Sequence, residues 1–121
     1  MSKFHSQNFK NSAMYAIRGL RIALRSQPNV RKHLRIFAVL LIFAVICRFE
    51  PLHYAILIFS SFSVIVAELF NSAIEFTLDA YYKNKFSNLV KMAKDISAGA
   101  VLLAACVNMA VFALLVFDKI F

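Results

Sequence analysis

Residues 52–79, LHYAILIFSSFSVIVAELFNSAIEFTLD, decide the fold. Neither Gly nor Pro interrupts them, and their apolar residues come in runs rather than in alternation, so a helix is expected. The segment exceeds the roughly 20 residues needed to cross hydrocarbon, so part of it should protrude from a membrane. Its second half carries Glu68, Asn71, Glu75 and Asp79 at steps of three, four and four. At 3.6 residues per turn these fall on one face, with Glu68 about 16 Å deeper along the axis than Asp79. An ionised carboxylate in hydrocarbon costs at least about 2.5–3.5 kcal/mol, so a whole polar stripe needs a reason.

The rest of the chain agrees with a membrane setting. Of its 121 residues, 61% are hydrophobic, with two Gly, two Pro and no Trp. Soluble proteins average roughly 45–50% apolar. Helices satisfy the backbone within lipid, so the fold class expected is an all-α membrane protein with three transmembrane helices and an N-terminal amphipathic surface helix. The spans are expected over residues 34–49, 52–79 and 95–117, within one domain covering residues 1–121. Residues 1–28 hold the surface segment, with its helix over 6–26. There Phe9, Ala13, Ala16, Ile17, Leu20 and Leu24 form an apolar stripe, and Lys10, Arg18, Arg21 and Arg25 occupy the remainder, the pattern of a helix lying in the interface. Pro28 breaks it. Residues 80–94 read as a polar connection.

The net charge of +8 is distributed for a membrane and not for nucleic acid. Eight basic residues, from Lys3 to Arg35, precede the first acidic residue, Glu50. Basic flanks mark the cytoplasmic side and attract anionic headgroups. The N-terminus and the 80–94 connection are therefore expected in the cytoplasm, and the turn at 49–53 and the C-terminus outside. Cys47 and Cys106 lie in apolar runs and read as small hydrophobes.

Carboxylates, an amide and the Lys94-Asp95 pair near a membrane surface suit phosphoryl transfer. One carboxylate takes a proton from a lipid hydroxyl, others hold Mg²⁺, and cations offset phosphate charge. The chain has no Gly-x-x-x-x-Gly-Lys loop, so side chains and metal must hold a nucleotide. Read from residue types alone, the stripe also suits an interhelical network that only joins helices, and Asp95 also suits a helix N-cap. A small multidrug transporter carries a membrane-embedded Glu too, but is expected to have four spans.

Two separated motifs go further. Glu68-Leu-Phe-Asn-Ser-Ala-Ile-Glu75 with Asp79, followed by Ala93-Lys-Asp-Ile-Ser-Ala-Gly-Ala-Val-Leu102, resemble the signature of the prokaryotic diacylglycerol kinase family, which includes the undecaprenol kinases. The likeness runs from Tyr15-Ala-Ile-Arg-Gly-Leu-Arg21 through the last span. It implies a lipid kinase of the bacterial inner membrane: a homotrimer with sites shared between subunits, Mg²⁺ as cofactor, ATP as phosphoryl donor, and a membrane lipid as acceptor. By motif match, Glu68 corresponds to the general base, with Asn71 in the same catalytic constellation. Glu75 corresponds to a metal ligand that also serves the nucleotide site. Tyr15, Lys94 and Asp95 match nucleotide-site positions. Lys10 stands two positions from an arginine that relatives use there, and Gln27 stands where many relatives have a second metal-binding Glu. The segment Lys91–Ala100 is similar to the undecaprenol kinase branch, which implies a preference for undecaprenol over diacylglycerol. Phe59, Phe62 and Ile65 are expected to line the path of the lipid tail.

Overall fold

The computed structural model describes residues 8–83 and 85–121. They form four helices: α1 (Phe9–Ser26), α2 (Pro28–Ile46), α3 (Pro51–Tyr82) and α4 (Asn88–Ile120). Residues 6 and 7, expected to begin the surface helix, lie outside the described residues, as does Asn84 in the expected connection.

Helix α1 starts where the Asn8 side chain accepts the Asn11 N–H at 2.9 Å, a side-chain N-cap. It stops at Gln27, whose backbone is extended because the residue before a proline is driven out of the α region. Pro28 then takes the first position of α2, where its missing N–H is not needed. Arg31 locks the elbow: its Nη1 donates to the carbonyls of Leu24 and Arg25 at 2.9 and 3.0 Å. The Arg31 guanidinium therefore serves the last turn of α1, which has carbonyls without partners of their own. Phe9, Ile17, Leu20 and Leu24 remain exposed, so the apolar stripe of α1 is not spent inside the chain.

Helix α2 ends in a Schellman turn built without glycine. Arg48 adopts φ 58°, its N–H donates to Val45 O at 3.1 Å, and the Phe49 N–H donates to Ala44 O at 3.0 Å. A non-glycine residue in this left-handed region costs about 1–2 kcal/mol. Phe49 offsets that cost by joining Leu40, Ala44, Leu57 and Leu115 in the main apolar cluster, the hydrophobic contact that accompanies such caps. Pro51 opens α3, and the Glu50 N–H donates to His53 Nδ1 at 3.2 Å. With Nδ1 accepting, the ring proton sits on Nε2, which meets Asp118 Oδ2 at 2.8 Å.

Helices α3 and α4 form a long antiparallel pair. On α3 the buried residues His53, Leu57, Ser61, Val64, Ile65, Glu68, Asn71 and Ser72 recur every three or four positions, which is the face turned to α4. Polar pairs set the register. His53 meets Asp118, Ser60 and Ser61 both donate to Asn108 Oδ1 at 2.8 and 3.2 Å, Ser97 donates to Asn71, and Lys94 meets Asp79. Each step along α3 is matched by a step backwards along α4.

Outward faces carry large apolar side chains, including Phe59, Phe62, Phe70, Leu102, Leu103 and Leu114. A helix apolar on its exposed faces as well as its buried ones is suited to lipid. Both α3 and α4 are long and apolar enough to cross a membrane. Helix α2 has 19 residues and carries Arg31, Lys32 and Arg35 in its first half, so it lacks an apolar stretch of that length. Two expectations change. Helix α4 begins at Asn88 and not at Asp95, because residues 89–93 are helix-compatible and Lys91 pairs with Asp95 at 2.7 Å one turn on. Asp95 is therefore no N-cap. Ile65 is buried against the rest of the protein, whereas Phe59 and Phe62 are exposed, so the three do not share a surface.

The Asn108 node tests the register. Asn108→Ala removes the acceptor of two serine hydroxyls, and interhelical hydrogen bonds in membranes contribute about 0.6–1.7 kcal/mol each. The variant should lose about 1–2 kcal/mol in a reversible detergent-denaturation series. Ser60→Ala, which leaves the Ser61 hydroxyl on Asn108, should lose less.

Candidate functional site

The polar stripe of α3 folds into one connected group. Asn71 stands between two carboxylates: Nδ2 donates to Glu68 Oε1 at 3.4 Å and to Glu75 Oε1 at 3.3 Å. Across the helix pair, Ser97 Oγ donates to Asn71 Oδ1 at 2.6 Å. Carboxylates only accept, so the amide NH₂ must face them and the amide oxygen must face the serine. The orientation of Asn71 is thereby determined by three partners. Ser72 Oγ bonds back to Glu68 O at 3.0 Å, which satisfies its hydroxyl within α3.

Glu68 is only 2% exposed. A buried carboxylate is costly unless it is paired or hydrogen-bonded, and its partners here are Asn71 and His33. The His33 Nε2 atom, from α2, lies 4.0 Å from Glu68 Oε2. These groups line a cleft of about 460 Å³ with polar walls from Asn29, Lys32, His33, Glu68, Asn71 and Glu75. Helix α4 supplies only apolar residues to that cleft, Val101 and Leu102 among them. Glu75 is less buried than Glu68, so the cleft grades from a dry carboxylate to a wetter one along two turns of α3.

Asp79, the last member of the stripe, takes no part in that cleft. Lys94 Nζ donates to Asp79 Oδ1 at 2.7 Å, and both line a second depression of about 460 Å³ with Tyr82, Phe86, Lys91 and Asp95. These ion pairs are substantially exposed, so water screens them and they contribute little. Lys94 and Asp95 thus open on the neighbouring depression, not on the cleft of Glu68. Tyr15, Lys10 and Gln27 line neither hollow. The Arg18 guanidinium covers the Tyr15 ring at 5.6 Å.

The chain matches the family model described as prokaryotic diacylglycerol kinase over residues 14–117. It belongs to that family. A protein of Synechocystis sp. named diacylglycerol kinase is 36% identical over 98 residues, which is 81% of this chain and 56% of that protein. The chain therefore spans little more than half the length of this family relative. The family match includes both hollows and all of α2, α3 and the apolar part of α4.

His33 and Ser97 were not legible as site residues from sequence. His33 lies in the run Arg31-Lys32-His33-Leu34-Arg35 and reads as part of a basic flank. Its signal is phase: Asn29, Lys32, His33 and Ile36 recur on one face of α2 and all line the cleft. Ser97 reads as a small packing residue beside Ala98 and Gly99, and only the approach of α4 to α3 makes it a donor.

Ser97→Ala should leave the amide oxygen of Asn71 buried without a donor. Such a group costs about 1–3 kcal/mol, so the denaturation midpoint in detergent should fall accordingly. Ser97→Thr keeps the hydroxyl and should retain most of the stability.

Proposed function

We propose that this chain transfers a phosphoryl group from ATP to the hydroxyl of a membrane lipid alcohol. The observation that carries the reading is the dry carboxylate Glu68, held through Asn71 to the wetter Glu75 on the wall of one cleft. Membership of the diacylglycerol kinase family supports it, as does the name of the Synechocystis relative. Glu68 acts as the general base: its Oε2 is not bonded to Asn71 and is free to take the hydroxyl proton. Asn71 positions the base. The charges of Lys94 and Lys32, one beside each hollow, face the polyphosphate, and Tyr15, Lys10 and Asp95 complete the nucleotide site.

Among the described residues, no three of His, Cys, Asp and Glu converge to hold a metal by themselves. Magnesium shared with phosphates needs only one or two carboxylates and keeps several waters. Glu75, an acceptor with spare lone pairs on the open side of the cleft, suits that role. Bound Mg²⁺ supplies charge neutralisation across the phosphates. Gln27 adds an uncharged amide oxygen; it lines neither hollow in its own chain, which fits sites shared between the subunits of a homotrimer. Helix α2 serves as the third crossing, with Arg31, Lys32 and Arg35 at the cytoplasmic surface of the inner membrane. The acceptor class is a long-chain lipid alcohol, undecaprenol ahead of diacylglycerol.

Two experiments test this. Glu68→Gln should abolish transfer of radiolabelled phosphate from ATP to undecaprenol or diacylglycerol in mixed micelles while the protein still assembles. Wild-type turnover in that variant refutes the base assignment. Glu75→Gln should raise sharply the Mg²⁺ concentration required for half-maximal rate, and Gln27→Glu should lower it. Unchanged titrations in both variants remove these residues from the metal site.

A further inference from the structure

A base buried as deeply as Glu68 must lose the proton it gains before a second turnover. The aqueous route out is narrow, because the Glu68 side chain is 3% exposed. Among the described residues, His33 is the titratable group that stands against Glu68 Oε2. Its Nε2 lies 4.0 Å from Glu68 Oε2, and its side chain is 16% exposed, so it touches both the base and the cleft. Among the described residues, no other Lys, Arg or His lies within ion-pair distance of Glu68. The other ionisable groups of the cleft are Lys32 on α2 and Glu75 on α3, and α4 contributes none. Arg31, two residues away, is engaged with the carbonyls of α1. Glu75 is two turns along α3 from Glu68 and reaches it only through the amide of Asn71. That amide is a donor but not a titratable group, so it does not pass the proton onward.

We propose that His33 is the proton partner of Glu68, a positioning residue that returns the base to its carboxylate form after each transfer. The inference rests on Glu68 being the base. In the transfer step, the O–H bond of the lipid alcohol breaks and its proton goes to Glu68 Oε2. The alcohol oxygen bonds to the γ-phosphorus, and the P–O bond to the nucleoside diphosphate breaks with its electron pair. The proton then passes from Oε2 to Nε2 of the neutral His33 ring, leaving a carboxylate beside an imidazolium. Nε2 releases it to water in the cleft, and both groups are restored. A separation of 4.0 Å is closed by one bridging water or by a small side-chain rotation, as catalytic hydrogen bonds often tighten only when substrate is bound. Imidazole suits the task because a neutral ring has one nitrogen free to accept a proton.

The experiment is chemical rescue. Purified full-length His33→Ala and His33→Gln are assayed with MgATP and with diacylglycerol or undecaprenol in mixed micelles, with and without added imidazole. Gln is close to His in size and keeps a polar group, so it separates proton transfer from packing. Both variants should lose at least about tenfold in kcat, less than the roughly 10²–10⁴-fold of a group that moves a proton in the reacting step itself, with KM for ATP and lipid unchanged. Imidazole should restore the His33→Ala rate in a concentration-dependent way, and a series of substituted imidazoles should restore it in proportion to basicity. Wild-type kcat in His33→Gln, or a loss in His33→Ala that no imidazole restores, overturns the proposal. Glu68→Gln separates the two readings and should stay inactive with or without imidazole. An active Glu68→Gln sinks the base itself and the role of His33 with it. An inactive Glu68→Gln beside a fully active His33→Gln sinks only the assignment of His33.

Discussion

The 2.6 Å hydrogen bond from Ser97 to Asn71 orients the amide that joins Glu68 to Glu75. In a dry interior an amide must find a partner for its oxygen as well as its nitrogen, and the hydroxyl on the facing helix is the group that meets the oxygen. That bond places α3 and α4 in one register and turns the amide nitrogen towards Glu68 and Glu75. The other polar pairs, Asn108 with its two serines and His53 with Asp118, repeat the constraint further along. Van der Waals contact alone discriminates poorly between registers of two apolar helices, whereas unpaired polar groups penalise every wrong one.

The same arithmetic ranks the carboxylates. Asp79 and Asp95 form exposed pairs with Lys94 and Lys91, and water screens such pairs until they contribute little. Glu68 is different because its surroundings are dry. A charge there interacts strongly with whatever is near, and among the described residues the Asn71 amide and the His33 imidazole are its polar side-chain neighbours. In that setting an ionised Glu68 is costly, and its hydrogen bond to Asn71 offsets part of the cost. Glu75 is less buried and accepts from the same Asn71 amide.

Helix α2 gives the cleft its third wall, and its placement comes from two local devices. Arg31 binds the final carbonyls of α1 at one end, and the left-handed Arg48 delivers Phe49 into the apolar cluster at the other. Both are arginines that a charge count assigns to membrane flanks. One of them instead completes a helix terminus, and the other accepts a strained backbone so that its neighbour can be buried. Between these anchors, His33 is carried to Glu68.

Local periodicity determined a good part of this protein. The uninterrupted apolar run of 52–79, the three- and four-residue steps of Glu68, Asn71, Glu75 and Asp79, and Pro28 before α2 specify helices, faces and breaks, since each depends only on residues within a turn or two. The two motifs were sufficient to identify the family, which the match over 14–117 bears out. What tertiary structure alone decided is which partners those faces meet. It brought His33 to Glu68 across 35 positions and Ser97 to Asn71 across 26, and it turned Asp79 away from its own stripe towards Lys94. The start of α4 at Asn88 is by contrast local, resting on helix-compatible residues 89–93 and the Lys91–Asp95 pair one turn on. A helix face is encoded by spacing along the chain, but a contact between faces is set by register, crossing and burial, and no local spacing contains those.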